Sequence, residues 1–155
     1  MGLDMYLKAE KYVGGWKHSP AEDRDKFAKL LTTVGLSPED IASDSPSATL
    51  TVTVGYWRKA NAIHKWFIDN VQGGKDECDT SDVSREQLGK LLELCKQCKE
   101  THDATLLPPC SGFFFGSTEI DEYYWQDIDL TIEILGRVLS NERLDDWDFS
   151  YRSSW

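Results

Sequence analysis

The chain has 155 residues, 40% of them apolar, with six each of Trp, Tyr and Phe and a formal net charge of −10. That length and aromatic content suit one folded domain with a real core rather than a disordered chain. Its acidity, with a pI near 4.7, argues against duplex nucleic acid or an anionic membrane surface as partner, since both need surplus basic side chains; a small anion in a local basic pocket stays open.

No stretch has the length and apolarity of a membrane span. Met1-Gly2-Leu3-Asp4-Met5-Tyr6 lacks the basic region and apolar core of a signal peptide. A cytoplasmic protein is therefore expected, with Cys78, Cys95, Cys98 and Cys110 reduced.

Residues 2–13 alternate, Leu3, Met5 and Leu7 against Asp4, Tyr6 and Lys8, which predicts a strand with one buried face. Gly14-Gly15 breaks it. Ser19-Pro20-Ala21-Glu22 reads as a capping box with proline at the first helical position, followed by the stripe Phe27, Leu30, Leu31 and Val34 and a Gly35 suited to the C′ position. Ser37-Pro38-Glu39-Asp40 repeats the start signal. Residues 14–47 thus read as a helical excursion within a single domain spanning 1–155.

Thr49 to Val54 predicts the second strand, near 49–55, with Leu50, Val52 and Val54 alternating against threonines. Helical spacing then takes over at Trp57, placing Trp57, Ala60, His64, Phe67 and Val71 on one face, and Gly73-Gly74 ends that helix. Ser84-Arg85-Glu86-Gln87 is a further capping box, opening a helix with Leu88, Leu91, Leu92 and Cys95 inward. Gly112-Phe113-Phe114-Phe115-Gly116 is short, apolar and strand-like. Thr118 and Asp121 can cap a last helix with the stripe Ile120, Tyr124, Ile128, Thr131, Leu135 and Val138. Trp147, Phe149 and Tyr151 alternate, predicting a third strand at 147–153. The expected fold is α+β, a small antiparallel or mixed sheet covered by about four helices.

On the predicted central helix, Arg58, Asn61 and Lys65 fall at i, i+3 and i+7 and share a face. Arg and Lys there would hold a phosphate or carboxylate, Asn61 would read a polar edge, and Tyr56 or Trp57 would stack on a ring. The plainer reading makes Arg58 and Lys65 a solvated face and His64 a bonded core histidine. Ser117 and Thr118, before the last helix, could add hydroxyls and amides for an anion, although simple capping explains them better, since Glu119, Asp121 and Glu122 already place negative charge on that turn. Cys95, Cys98 and His102 share a helical face, but Cys95 continues an apolar stripe, so no metal or cofactor is assigned. No catalytic motif occurs and no catalytic residue is assigned. Residues 119–148 carry ten Asp or Glu against Arg137 and Arg143, a solvated acidic face or a docking surface for a basic partner.

Three blocks together resemble a family of small, functionally uncharacterised proteins of tailed phages and prophages. They are Met1-Gly2-Leu3-Asp4-Met5-Tyr6-Leu7, Gly55-Tyr56-Trp57-Arg58-Lys59-Ala60-Asn61-Ala62-Ile63-His64-Lys65-Trp66-Phe67 and Gly112-Phe113-Phe114-Phe115-Gly116-Ser117-Thr118. The resemblance implies a phage setting, hence the host cytoplasm, and carries over no site residue. In that setting the leading expectation is an anti-defence binding protein that sequesters a small anionic, nucleotide-derived host signal. Tyr56, Trp57, Arg58, Asn61, His64, Lys65, Ser117 and Thr118 would form its site, and a pocket completed between subunits would make it a homo-oligomer. The alternatives are an acidic inhibitor of a host protein and a small-nucleotide enzyme using His64 and Asp4.

Overall fold

A computed structural model describes residues 2–155, so Met1 of the first sequence block lies outside the described residues. The fold is α+β: a four-stranded antiparallel sheet in the order β2-β1-β4-β3, with four α-helices. Strand β1 spans Asp4–Gly14, β2 Ser47–Arg58, β3 Ser81–Asp82 and β4 Asp148–Ser154. The helices are α1 (Ala21–Thr33), α2 (Asn61–Asn70), α3 (Arg85–Thr101) and α4 (Glu122–Ser140), and short 3-10 turns follow α1 at Pro38–Asp40, α3 at Ala104–Leu106 and α4 at Glu142–Leu144. Among the described residues no helix is long and apolar enough to cross a membrane.

The chain divides into two compact units, residues 10–51 and the remainder (1–9 with 52–155). The excursion expected at 14–47 falls inside the smaller unit. Its core is small: Val13, Phe27 and Leu31 are buried, with Leu30, Ile41 and Ala48 packed around them. Ser37 and Asp40 close the predicted capping box. Ser19 does not cap α1; Pro20 occupies the N-cap position, and the buried Ser19 hydroxyl has no partner.

The larger unit holds the main core. Leu3, Met5, Leu7 and Ala9 are fully buried, as the alternation of β1 requires, and meet Trp57, Ile63, Phe67, Leu88, Leu91, Ile128, Leu135 and Tyr151. Each large side chain withdrawn from water here contributes about 1.5–3 kcal/mol before entropy is counted. Ser84 and Gln87 form the predicted box on α3, and Asp121 accepts from the Tyr123 and Tyr124 amides at the start of α4. Of the predicted α4 stripe only Ile120 departs; it precedes the helix and is exposed.

Four expectations are corrected. Strand β2 runs through Trp57 to Arg58, so the helix begins at Asn61 rather than Trp57. The reversal takes two residues: Lys59 adopts a left-handed backbone, φ 61°. Ala60 then makes an inverse γ-turn, φ −73°, ψ 68°, with the Asn61 amide donating to the Lys59 carbonyl at 2.8 Å. Leu50 and Val52 lie on an edge strand and are each 42% exposed; Gly55 and Trp57 supply its inward positions. A side chain at 55 would strike Ile134 at 2.7 Å, which explains glycine there. The run Gly112–Gly116 is a turn rather than a strand, closed by the Phe115 amide on the Gly112 carbonyl. Finally, β3 was not predicted; two residues, Ser81 and Asp82, pair antiparallel with Tyr151 and Ser150.

Candidate functional site

The β2–α2 reversal and the first turns of α4 enclose a cleft of about 340 Å³. Arg58 and Lys59 line it from the end of β2, and Asn61, Ala62 and Ile63 from the first turn of α2. Gly116, Ser117 and Glu119 line it from the loop before α4, and Asp121, Tyr123, Tyr124, Asp127 and Ile128 from α4 itself.

Asn61 is the clamp that holds these walls. It is 95% buried, and its side-chain amide donates to the Phe115 carbonyl (3.1 Å) and the Ser117 carbonyl (2.8 Å). Its side-chain oxygen accepts from the Cys110 amide at 3.2 Å. Three backbone groups of the 110–117 loop are thereby satisfied by one side chain, so Asn61 fixes the loop and has no free polar edge for a ligand. At the bend, Gly116 has φ 89°, and a Cβ there would lie 3.3 Å from the Lys59 Cβ, so glycine lets the loop sit against Lys59. Trp57 ties the two walls from beneath: its indole donates to the Thr131 hydroxyl at 2.9 Å, and that hydroxyl donates to the Asp127 carbonyl at 2.7 Å.

The predicted row Arg58, Asn61, Lys65 is therefore dispersed. Arg58 belongs to the strand and Asn61 to the clamp. Lys65 turns to Asp69, 2.5 Å away, and lines a separate cleft of about 270 Å³ with Trp66 and Leu94. Trp57 is fully buried and offers no ring face to a ligand. Tyr56 stays on the sheet, half-exposed, tilted against the Tyr6 ring and donating to Asp4 at 2.5 Å. That acceptor raises the Tyr56 hydroxyl above its ordinary pKa. Ser117 lines the cleft, although its hydroxyl accepts from the Glu119 amide. Thr118 is exposed and is not part of the lining.

His64 is fully buried and closes a polar network. Nδ1 lies 2.7 Å from the Tyr151 hydroxyl and Nε2 3.2 Å from Asp76, whose other oxygen accepts from the Trp155 indole at 3.0 Å. Burial lowers the His64 pKa, and Asp76 opposes that only in part. Asp4 and His64 are thus each engaged elsewhere, and neither lines the cleft. Cys95 and Cys98 are buried, Cys98 beside the Tyr124 hydroxyl, while His102 ends α3 and stacks on Trp125 with centroids 4.0 Å apart. Among the described residues no three His, Cys, Asp or Glu side chains converge as a metal site. Within the acidic run, Asp129 pairs with Lys99, Glu133 with Arg137 and Asp145 with Arg85.

What remains at the cleft is bipolar. Neither Arg58 nor Lys59 has a carboxylate of the described residues within ion-pair distance, which leaves both cations of the lining open to an anion. Asp127 faces the same space, and burial, then the charge of Asp121, push its carboxyl up to about 7. Sequence reasoning missed Lys59 and Asp127. Lys59 was hidden because the strand was ended too early. Asp127 had a legible signal: it borders the apolar stripe, one residue before Ile128 and three after Tyr124, where a carboxylate is drawn partly out of water. Comparison with protein-family models, curated proteins and solved structures finds no match to the chain.

Proposed function

We propose that the protein is a binding protein that captures a small anionic ligand of the nucleotide class in this cleft. The observation that carries the reading is the pair Arg58 and Lys59, two cations with no ion pair among the described residues, lining one cavity in a chain with a net charge of −10. A cavity of about 340 Å³ lies within the range of small-ligand sites. The left-handed backbone of Lys59 adds support. A non-glycine residue there costs about 1–2 kcal/mol, and glycine would avoid that cost while losing the ammonium group. A phosphate against Arg58 and Lys59 would gain charge-assisted hydrogen bonds, Arg58 offering its planar fork and Lys59 a mobile point charge.

In the phage setting implied by the three sequence blocks, capture would withdraw a nucleotide-derived host signal, an anti-defence role in the host cytoplasm. Differential scanning fluorimetry against cyclic and ADP-ribose-type nucleotides tests the reading: a ligand at a hundredfold its Kd stabilises by about 2.7 kcal/mol, a shift of several degrees. The shift should vanish in the double variant Arg58→Ala, Lys59→Gly. A panel that leaves the melting temperature unchanged throughout would sink the proposal.

A further inference from the structure

Asp127 supplies the second pole of the cleft. Its carboxylate is partly withdrawn from water, and among the described residues no hydrogen bond or ion pair reaches it. Neither of its oxygens is among the buried atoms that lack a partner, so both keep access to solvent and to a ligand in the cleft. The charged and titratable groups around it are Asp121 at the N-cap of α4, Tyr123 and Tyr124 from α4, Glu119 from the preceding loop, Arg58 from β2 and Lys59 from the reversal after it; α2 contributes Asn61, Ala62 and Ile63, none of which titrates. Two neighbours are already committed: the Tyr124 hydroxyl donates to the Leu107 carbonyl at 2.9 Å, and Asp121 caps its helix. Asp127 is the partly buried acid left to meet a ligand.

We propose that Asp127 reads the hydrogen-bonding edge of the ligand's heterocyclic base while Arg58 and Lys59 hold its phosphate. This rests on the capture reading above and adds a rule of discrimination. A neutral carboxylic acid presents one donor beside one acceptor, and a carboxylate presents two acceptors. The first matches the amino donor and ring-nitrogen acceptor of adenine; the second matches the adjacent ring N–H and amino donors of guanine. With its carboxyl poised at about 7, Asp127 holds both forms near neutrality. Adenine binding should therefore weaken as pH rises, and guanine binding should not.

The probes are 3′,5′-cyclic AMP and 3′,5′-cyclic GMP, whose phosphodiester has no proton to lose in this range, titrated calorimetrically into the intact protein. Between about pH 6 and about pH 8 the protonated fraction of Asp127 falls from about nine-tenths to about one-tenth, so affinity for the adenine nucleotide should fall about tenfold. The guanine nucleotide should bind no more weakly at the higher pH. In Asp127→Asn, whose amide keeps a donor beside an acceptor, the fall should disappear. Asp121→Asn preserves the helix cap but removes the neighbouring charge, and should move the midpoint of the adenine titration to lower pH. Circular dichroism melts confirm that both variants fold. Equal adenine affinity at the two pH values, or an undiminished fall in Asp127→Asn, would overturn the base-reading role and leave capture standing. Absence of binding by both nucleotides at both pH values would overturn this inference, and capture falls with it only if no nucleotide of the wider panel raises the melting temperature.

Discussion

His64 and Asp127 are both drawn out of water, yet their surroundings differ. His64 has partners on both ring nitrogens, Tyr151 and Asp76, and Asp76 is itself held by Trp155. Asp127 has its backbone carbonyl bonded to Thr131 and, among the described residues, no hydrogen bond or ion pair on its carboxylate. In the first region both ring nitrogens of the buried histidine are matched, which joins α2, β4 and the 71–80 loop. In the second, Arg58, Lys59 and Asp127 line one cavity with no ion pair among the described residues. Two exposed cations beside a partly buried carboxyl of raised pKa suit a binding site better than a structural network. Electrostatics follow the same division. Burial holds His64 neutral, so stability falls as pH drops below about 6.5 and the unfolded chain takes up a proton that the folded one resists. Asp127 acts oppositely. Its folded form keeps a proton that the unfolded chain releases, so this contribution is full below about pH 4 and is lost as pH rises through about 7.

The largest test breaks the matched network. His64→Ala takes the imidazole partner from the Tyr151 hydroxyl, leaves Asp76 with the Trp155 indole alone, and opens a cavity between Phe115 and Tyr151. A loss of about 3 kcal/mol is expected in urea denaturation. Nucleotide binding by the fraction still folded should be unaltered, because His64 does not reach the cleft. Asp127→Asn is the counterpart with the opposite sign. The raised carboxyl is worth at most about 1.4 kcal/mol per pKa unit, and partial exposure reduces that, so the variant should gain about 2 kcal/mol at about pH 8. The gain should shrink to near zero at about pH 4, which urea midpoints at the two pH values would check. A uniform gain at both would mean that ionisation is not its cause.

Much of the frame was readable in the residues. The alternation of β1, the boxes at Ser37 and Ser84, the inward stripe of α4 and the β4 alternation each report a single local rule, and local rules survive folding. The errors gathered at the β2–α2 reversal. Trp57, Ala60 and His64 fall at helical spacing, yet Trp57 is buried from a strand, because a left-handed residue and a γ-turn reset the phase between them. No local preference announces that lysine will adopt φ 61°; contacts distant in sequence impose it, among them the Lys59 amide bonded to the Leu3 carbonyl at 2.7 Å. The same slip explains the site. Helical spacing places Arg58 on α2 beside Lys65, whereas it ends β2 and neighbours Lys59 at the cleft. Asn61 shows a further limit: its three bonds go to backbone groups of residues 110–117, and a sequence does not display long-range bonds to backbone.

The remaining tests separate stability from binding at Lys59 and Arg58. Lys59→Gly relieves the left-handed strain but loses the side-chain packing against Gly2 and Gly116, leaving a net gain of about 0.5 kcal/mol. Arg58→Ala removes an exposed, unpaired guanidinium and should alter stability by less than about 0.5 kcal/mol. Both should nevertheless weaken the captured nucleotide, and Arg58→Ala more, because its bidentate contact to phosphate is lost together with its charge. Arg58→Lys distinguishes the two contributions. If charge alone matters, it should restore most of the binding lost in Arg58→Ala. If the planar fork matters, affinity should stay several-fold below that of the parent while the melting temperature without ligand is the same for all three proteins. A melting temperature that falls in Arg58→Ala as it does in His64→Ala would place Arg58 with the matched network, and the cleft would lose its claim to be a site.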